Sequence, residues 1–285
     1  AMMALATFGL LQGPGAWARE RSDREEDGLV GAVATVETHE EFLVQTDRYD
    51  SGGRILERVQ NGVKPGPGLW PLRFVYEYDP AGRRISEKIL DGRGELVKET
   101  RTVYDDRGNR VAEVAAWGDG TFENASFYEF DGDRRMMLGL HYNAPLVVNR
   151  NTYGYDDQGR LVRETFARNY RYDAGGGRVV SSALFDYGYE VTTTYDGRGL
   201  VREKLVTDLT GVRQSRSEFT HDDRGNQIEE RVFSANGTLT DRKEYRYEYD
   251  LVGNWTKETM NWWSISKGVP QLIRTHVRTR TITYH

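Results

Sequence analysis

A short motif recurs along this chain and constrains its fold more than any other feature. It reads aromatic-Asp-x-x-Gly-(Arg or Asn), and successive copies typically lie about 23 to 29 residues apart, a period seen in repeat arrays. Six copies are clear and three are degenerate. The clear copies are Tyr49-Asp50 with Gly53, Tyr78-Asp79 with Gly82, Tyr104-Asp105 with Gly108, Tyr155-Asp156 with Gly159, Tyr195-Asp196 with Gly199 and Tyr249-Asp250 with Gly253, and the degenerate copies are Phe130-Asp131 with Gly132, Tyr172-Asp173 with Gly176 and His221-Asp222 with Gly225.

Each copy predicts a hairpin turn between two strands. An Asp at the first position of a type I turn accepts hydrogen bonds from backbone N–H groups, and a Gly at the fourth position adopts positive φ. Before the turn, residues alternate as in a strand, so Phe74, Tyr76 and Tyr78 face one way. After it, a second strand carries an apolar residue three positions beyond the Gly, as at Ile85 and Val111. The chain should therefore contain about eighteen strands, two per unit.

The rest of the sequence favours the same fold class. Helical periodicity is nearly absent, and 17 Tyr, 31 Gly and only 7 Pro suit strands joined by turns. Short connections between consecutive strands favour antiparallel pairing. We predict an all-β fold, an antiparallel meander of tandem hairpins that forms an extended, curved or partly rolled sheet.

The repeat resembles that of the RHS/YD-repeat family, whose units read YDxxGN or YDxxGR. The best examples here are VYEYDPAGRR (75–84), VYDDRGNRV (103–111), GYDDQGRLV (154–162) and YEYDLVGNWTKE (247–258). The resemblance implies a coiled antiparallel sheet with stacked aromatic residues, often extracellular or enclosing a toxin, in which the Tyr, Asp and Gly positions are structural. This chain resembles a short member without the toxin domain. With only about nine units, we expect an open sheet here instead of a closed shell.

Composition divides the chain into three predicted segments. Residues 1–28 combine an uncharged apolar stretch with a charged run, which is typical of a signal-like or anchoring N-terminal arm followed by a charged linker. Residues 29–258 form the repeat domain, and residues 259–285 form a basic C-terminal strand. We expect an exported protein, whether periplasmic, membrane-extrinsic or at the cell surface.

Several kinds of chemistry are disfavoured. The absence of Cys excludes disulfides and thiolate sites, and a net charge of −5 argues against nucleic-acid binding. No metal-ligand spacing, GxSxG elbow or phosphate loop occurs in its required context. We therefore predict no enzymatic activity, no cofactor and no metal.

The C-terminal strand and four tryptophans are the candidate partner-binding residues. Residues 259–285 contain no acidic residue, and alternation places the arginines on one strand face. Such a strip suits an acidic partner, anionic headgroups or a polyanionic sugar, and it suits equally a last strand that pairs with acidic neighbours. The candidate residues are Trp70, Trp117, Trp262, Trp263, Arg274, Arg278 and Arg280.

Three functions remain open at this stage. The first is a repeat scaffold that acts through protein–protein contacts at the cell envelope, for example as an extrinsic subunit of a membrane-bound assembly. The second is a carbohydrate-binding or adhesion module, which requires an aromatic groove. The third is a glycan-processing enzyme, which requires two carboxylates about 5 to 10 Å apart in a cleft.

Overall fold

The computed structural model describes residues 22–62, 70–143, 147–169 and 187–285. These ranges contain one helical turn, α1 (Asp23–Glu26), and eighteen strands, which confirms the predicted all-β fold class. No helix among the described residues is long and apolar enough to cross a membrane. The strands are β1 (Val33–His39), β2 (Leu43–Tyr49), β3 (Ile55–Gly62), β4 (Leu72–Tyr78), β5 (Arg84–Leu90), β6 (Leu96–Tyr104), β7 (Arg110–Trp117), β8 (Phe122–Phe130), β9 (Met136–Asn143), β10 (Val147–Tyr155), β11 (Leu161–Asn169), β12 (Tyr187–Tyr195), β13 (Val201–Asp208), β14 (Arg213–His221), β15 (Gln227–Ser234), β16 (Leu239–Tyr249), β17 (Trp255–Ser266) and β18 (Val269–Tyr284).

The sheet closes on itself, so the prediction of an open or partly rolled sheet is wrong. Each strand pairs antiparallel with the next strand in the chain, and β1 also pairs with β18. At this seam, residues from Val33 to His39 lie opposite residues from Tyr284 to Thr279. Twist and stagger curl a long sheet, and closure satisfies the backbone groups that two outer edges would otherwise present to water. The result is an eighteen-stranded barrel.

The Asp-x-x-Gly turns close hairpins at one end of the barrel, which we call the Asp-turn mouth. In the turn at Asp156, the Gly159 N–H donates to the Asp156 carbonyl at 3.0 Å, and Gly159 has φ +75°. One degenerate copy departs from the prediction, because Arg134 and not Gly132 takes the positive φ in its turn. The copy at Asp173 lies outside the described residues. The turns begin at Asp50, Asp79, Asp105, Asp131, Asp156, Asp196, Asp222 and Asp250.

In four units the tyrosine before the turn Asp ties its unit to the preceding one. The Tyr155 hydroxyl donates to the Met136 carbonyl at 2.8 Å, and the guanidinium of Arg135 lies 5.5 Å from the centre of the Tyr155 ring. Arg135 is also paired with Asp131 of its own turn at 2.7 Å. The Arg of the motif therefore forms an ion pair with the Asp of its own turn and also packs on the tyrosine ring of the next unit. The same hydroxyl-to-carbonyl bond joins Tyr78 to Ile55, Tyr104 to Arg84 and Tyr195 to Leu161.

The N-terminal segment identifies which face of the wall is luminal. Glu26 lies within electrostatic reach of Arg84 in β5 and Arg110 in β7, and Asp27 lies within reach of Arg280 in β18. Only a segment inside the ring can approach strands that are so far apart around it. Since directly paired residues share one face of a sheet, the register then assigns each strand residue to the lumen or the outer wall.

The core of the barrel lies where this segment packs against the luminal face. Ser22 caps α1, because its hydroxyl accepts from the Glu25 N–H at 3.3 Å and its own N–H donates to the Glu25 carboxylate at 2.9 Å. Residues 22–28, part of the predicted charged linker, thus fold into the barrel near the Asp-turn mouth. The core cluster consists of Leu29, Val33, Val36, Tyr49, Ile55 and Tyr76, with Phe74, Tyr78 and Ile282 packed against it.

Candidate interaction surfaces

The basic residues of the C-terminal strand face the lumen. β18 begins at Val269, and the predicted boundary between residues 258 and 259 lies inside β17. Arg278 is paired with Glu258 and Arg280 with Thr38, both luminal residues. The alternating residues on this face of β18 are Arg274, His276, Arg278 and Arg280.

Two of these arginines are paired with acidic neighbours. Arg278 donates to both oxygens of Glu258 at 2.8 Å, and Glu258 is buried. Arg274 donates to Glu41 in the connection between β1 and β2. Two interpretations of the basic strip were predicted, a partner-binding surface and a last strand that pairs with acidic neighbours. The contacts of Arg274 and Arg278 agree with the second.

Arg280 differs because none of the described residues forms a salt bridge with it. Its guanidinium carbon lies 3.6 Å from the centre of the Trp255 ring, and its Nε is buried without a hydrogen-bond partner. Burial lowers the pKa of Arg280 to about 10, so the side chain remains charged at neutral pH. Trp255 is not among the residues predicted from the sequence, although its place at the start of a strand after the last Asp turn was a signal for it.

A small polar cavity lies beneath these residues. Arg58 donates to Asp47 at 2.6 Å, and the Tyr49 hydroxyl donates to Asp27. Burial raises the pKa of Asp27 above its usual value. The cavity measures about 120 Å³ and is lined by Asp27, Leu29, Val36, Thr38, Glu40, Leu43, Gln45, Asp47, Tyr49, Arg58, Arg278 and Arg280.

The cavity is lined by three carboxylates, Asp27, Glu40 and Asp47, and a glycan-processing enzyme would need two free ones. Glu40, however, lies 3.7 Å from Arg278. Asp47 forms an ion pair with Arg58, and Asp27 accepts a hydrogen bond from the Tyr49 hydroxyl. The cavity of about 120 Å³ is also smaller than ligand sites, which usually measure about 300 to 1,000 Å³. Among the described residues, no group of three His, Asp or Glu could hold a metal ion. Hydrogen bonds and ion pairs thus hold Asp27 and Asp47 to Tyr49 and Arg58.

The four predicted tryptophans do not form one surface. Trp262 faces the lumen, where its Nε1 donates to Asp241 at 3.0 Å. Trp263 faces outward into an open groove of about 420 Å³ that also includes Leu239, Ile265 and Pro270. Trp70 and Trp117 are 37% and 44% exposed and lie at the end of the barrel opposite the Asp-turn mouth.

β18 has a long stretch that is paired on one side only. It pairs with β17 from Val269 to Thr279, but pairing with β1 begins only at Thr279. We call residues 269–278 the β18 free edge. Among the described residues no backbone pairs with its open side, and every residue from 269 to 275 is exposed.

Because neighbouring hairpins are staggered, other strands also have segments that pair with only one neighbouring strand, but these segments are shorter. β16, for example, pairs with β15 only as far as Glu244 and then runs on to Tyr249 beside β17 alone. That stretch covers residues 245–249, half the length of the β18 free edge. The free edge therefore exceeds what ordinary stagger produces in this wall.

The outer wall is covered mostly by charged pairs. Arg216 pairs with Glu203 at 3.4 Å and with Glu218 at 2.9 Å, and Arg242 pairs with Glu229 at 2.7 Å and with Glu244 at 2.6 Å. The outer faces of β6 to β8 are different, since they carry exposed apolar side chains. This outer apolar patch consists of Val103, Val114, Phe122 and Phe127.

Comparison with known proteins gives structural similarity only. No protein-family model matches the sequence, and no curated protein matches it either. A porin-like protein from Bacteroides uniformis is 12% identical, with 89% of this chain and 98% of that chain covered, at a TM-score of 0.47. A chain in the TcdB2-TccC3-Cdc42 structure is 15% identical, with 85% of this chain but 14% of that chain covered, at a TM-score of 0.41. The closed barrel described above is established by the strand pairings of this protein alone.

Proposed function

We propose that this protein is a non-enzymatic repeat barrel that acts as a scaffold through protein–protein contacts at the cell envelope, as an extrinsic subunit of a larger assembly. The observation that carries the proposal is the β18 free edge. Barrel closure normally removes unpaired edges, because an exposed row of N–H and C=O groups is a template for another chain. An edge of residues 269–278 in an otherwise closed wall therefore favours a site of assembly.

The outer wall supports the same proposal. The outer apolar patch is a second surface suited to a partner, since contiguous exposed apolar residues on a charged background mark interaction sites. The ion pairs around Arg216 and Arg242 support a position outside the hydrocarbon region of a membrane, where exposed charges are costly. Export and membership of the YD-repeat family are parts of this proposal, and the repeated Tyr–Asp–Gly contacts favour the latter.

A pull-down from native membranes tests the scaffold role. Tagged wild-type protein should co-purify with at least one specific chain, identified by mass spectrometry. Ile273→Lys places a charge on the free edge, where Ile273 is 49% exposed, and should abolish that co-purification. Val212→Lys is the matched control, since Val212 is 58% exposed in a turn away from the edge and should leave co-purification intact. Recovery of a free monomer alone would argue against the scaffold.

Carbohydrate binding is a second candidate, and the groove at Trp263 is the observation that favours it. Trp263 is half-buried in this groove beside Arg242 and Glu244, and an aromatic ring next to polar side chains can stack on a sugar face. A glycan array probed with wild type and Trp263→Ala would test this function. Equal signals from the two proteins would reject the groove as a sugar site.

A further inference from the structure

We infer that the β18 free edge accepts an extended strand of a partner protein whose sequence alternates acidic and apolar residues. This inference rests on the proposed scaffold function and adds the chemistry of the partner. Its elements are an open backbone ladder, an apolar outer row and a basic luminal row on the same strand.

The backbone of the free edge can pair with an added strand. In an antiparallel ladder, alternate residues direct both N–H and C=O to the same neighbour, so about half of residues 269–278 direct these groups away from β17. Ten residues of strand extend about 33 Å at 3.3 Å per residue, which is enough for a partner strand of ordinary length. Pro270 lacks an N–H, so pairing should centre on the residues that follow it.

The outer face of the edge supplies apolar contacts. Leu272 and Val277 are 47% and 41% exposed, and their register partners Trp263 and Thr259 place them on the outer wall. Ile273, at the bulge between Leu272 and Arg274, is 49% exposed. Burying these side chains under a partner would stabilise the complex, because it removes apolar surface from water.

The luminal face of the edge supplies positive charge. Arg274 lies on it, and Lys267 lies at the tip of the β17–β18 hairpin. Residues 259–285 contain no Asp or Glu, so the only described carboxylate paired with Arg274 is Glu41, on another hairpin. Acidic residues on an added strand would complement this row.

The same charges disfavour a second copy of this chain as the occupant. Two β18 edges that pair with each other would bring Arg274 and Lys267 of one copy beside those of the other. Like charges on neighbouring strands are destabilising. The favoured partner therefore differs in charge, with acidic residues on its luminal side and apolar residues on its outer side.

Peptide binding to the full-length chain tests the inference. The probe is a fluorescein-labelled, end-capped peptide of four Glu-Val repeats, titrated with protein and followed by fluorescence anisotropy. We expect saturable binding. A peptide with N-methyl groups on alternate residues keeps its charge but loses backbone donors on one edge, and it should bind at least about tenfold more weakly. A peptide of four Lys-Val repeats should also bind more weakly.

Matched charge reversals locate the site. Arg274→Glu should weaken binding of the Glu-Val peptide several-fold and strengthen binding of the Lys-Val peptide. Arg107→Glu makes the same change at an exposed residue of the Asp-turn mouth and should leave both affinities unchanged. Circular dichroism verifies that each variant keeps its strand content, so a loss of binding reports on the site.

The outcomes separate this inference from the proposed function. Equal binding of the N-methylated peptide, equal effects of the two charge reversals, or no binding of the Glu-Val peptide would overturn the inference. A concentration-dependent dimer that Arg274→Glu alters would also overturn it, in favour of a second copy. If instead the peptide binds as expected and no chain co-purifies from membranes, the edge chemistry stands and the scaffold role fails.

Discussion

The side-chain amide of Asn254 donates a hydrogen bond of 2.8 Å to the hydroxyl of Tyr284, which joins the last Asp turn to the last strand at the seam of the barrel. The same amide donates to the Val30 carbonyl at 2.8 Å, and the Asn254 side-chain oxygen accepts from the Val30 N–H at 2.7 Å. Asn254 is only 2% exposed. One buried side chain thus links the N-terminal segment, the last turn and β18.

This contact repeats the interface between adjacent units. Within the wall, Asn226 donates to the Tyr249 hydroxyl at 2.7 Å, and that hydroxyl donates to Asp222 at 3.3 Å. At the seam, Tyr284 takes the position of the next unit's tyrosine and donates to Asp250. The seam of the barrel is therefore closed by the same asparagine–tyrosine–aspartate hydrogen bonds that join Asn226, Tyr249 and Asp222 within the wall.

Asn254→Ala should destabilise the protein by about 1 to 3 kcal/mol, because it removes the two hydrogen bonds to the Val30 backbone and the one to the Tyr284 hydroxyl. Urea unfolding followed by circular dichroism measures the loss. Asn226→Ala is the matched control, since it removes the equivalent contact to Tyr249 without exposing an N-terminal segment. Equal losses in the two variants would show that the bonds to Val30 add nothing beyond the contact with the tyrosine.

Gly225→Val should cost roughly 1 to 2 kcal/mol, because Gly225 has φ +88° and a β-branched residue is disfavoured there. Space is not the cause, since the nearest atom to an added Cβ is a Leu200 methyl at 3.6 Å. Gly197→Val is the control, as Gly197 lacks a positive φ and has nothing within 4 Å of an added Cβ. A melting temperature unchanged by Gly225→Val would contradict the turn geometry.

Tyr155→Phe should destabilise the wall by about 0.5 to 1.5 kcal/mol, because it removes the hydrogen bond to the Met136 carbonyl and keeps the ring. Phe130 occupies the equivalent position in another unit and has no hydroxyl. Phe130→Tyr should therefore stabilise the protein, by up to about 1 kcal/mol. Thermal unfolding of both variants measures the effects. Changes of the same sign would contradict a stabilising role for the hydroxyl-to-carbonyl bond between units.

Acid should destabilise the barrel through the turn aspartates. The backbone N–H and the guanidinium of Arg83 lower the pKa of Asp79 below its ordinary value, with hydrogen bonds of 2.9 and 2.7 Å. A carboxyl group with a lowered pKa in the folded state adds stability above its unfolded pKa of about 3.9, and that stability is lost as pH falls through the folded value. The pKa is lowered in the same direction at Asp50, Asp105, Asp131, Asp156, Asp196, Asp222 and Asp250.

Melting temperatures measured from pH 7 to pH 2 check this expectation. Wild type should lose stability steeply below about pH 4. Asp79→Asn should melt lower at pH 7, where the ion pair with Arg83 is missing, and should show a smaller fall in acid. A fall of equal size in both proteins would place the acid sensitivity elsewhere.

The local structure of this protein was predictable because its causes are local. An Asp turn is closed by hydrogen bonds between residues three and four apart, such as Gly159 to Asp156 and Asp156 to Arg160. The alternation of Tyr245, Tyr247 and Tyr249 likewise places all three on one face without reference to distant residues. Arg134 was missed because its neighbour Gly132 was a more plausible residue for positive φ.

The candidate site was only partly predictable. Alternation correctly placed Arg274, Arg278 and Arg280 on one face, but it could not say that this face is luminal. Trp262 and Trp263 are adjacent in sequence and therefore lie on opposite faces of β17. The free edge left no signal in the motif, since it depends on where β1 starts to pair with β18.

The turns, the strands, their order and the faces that their side chains share follow from the residues themselves, because hydrogen bonds and alternation within a few residues set these features. The closure of the sheet, the identity of its inner face and the position of the open edge are visible only in the folded barrel. Closure depends on contacts such as that between Thr35 and Thr283, which are 248 residues apart. Such pairing follows from the twist and stagger summed over all the strands between them, a sum that no single repeat contains.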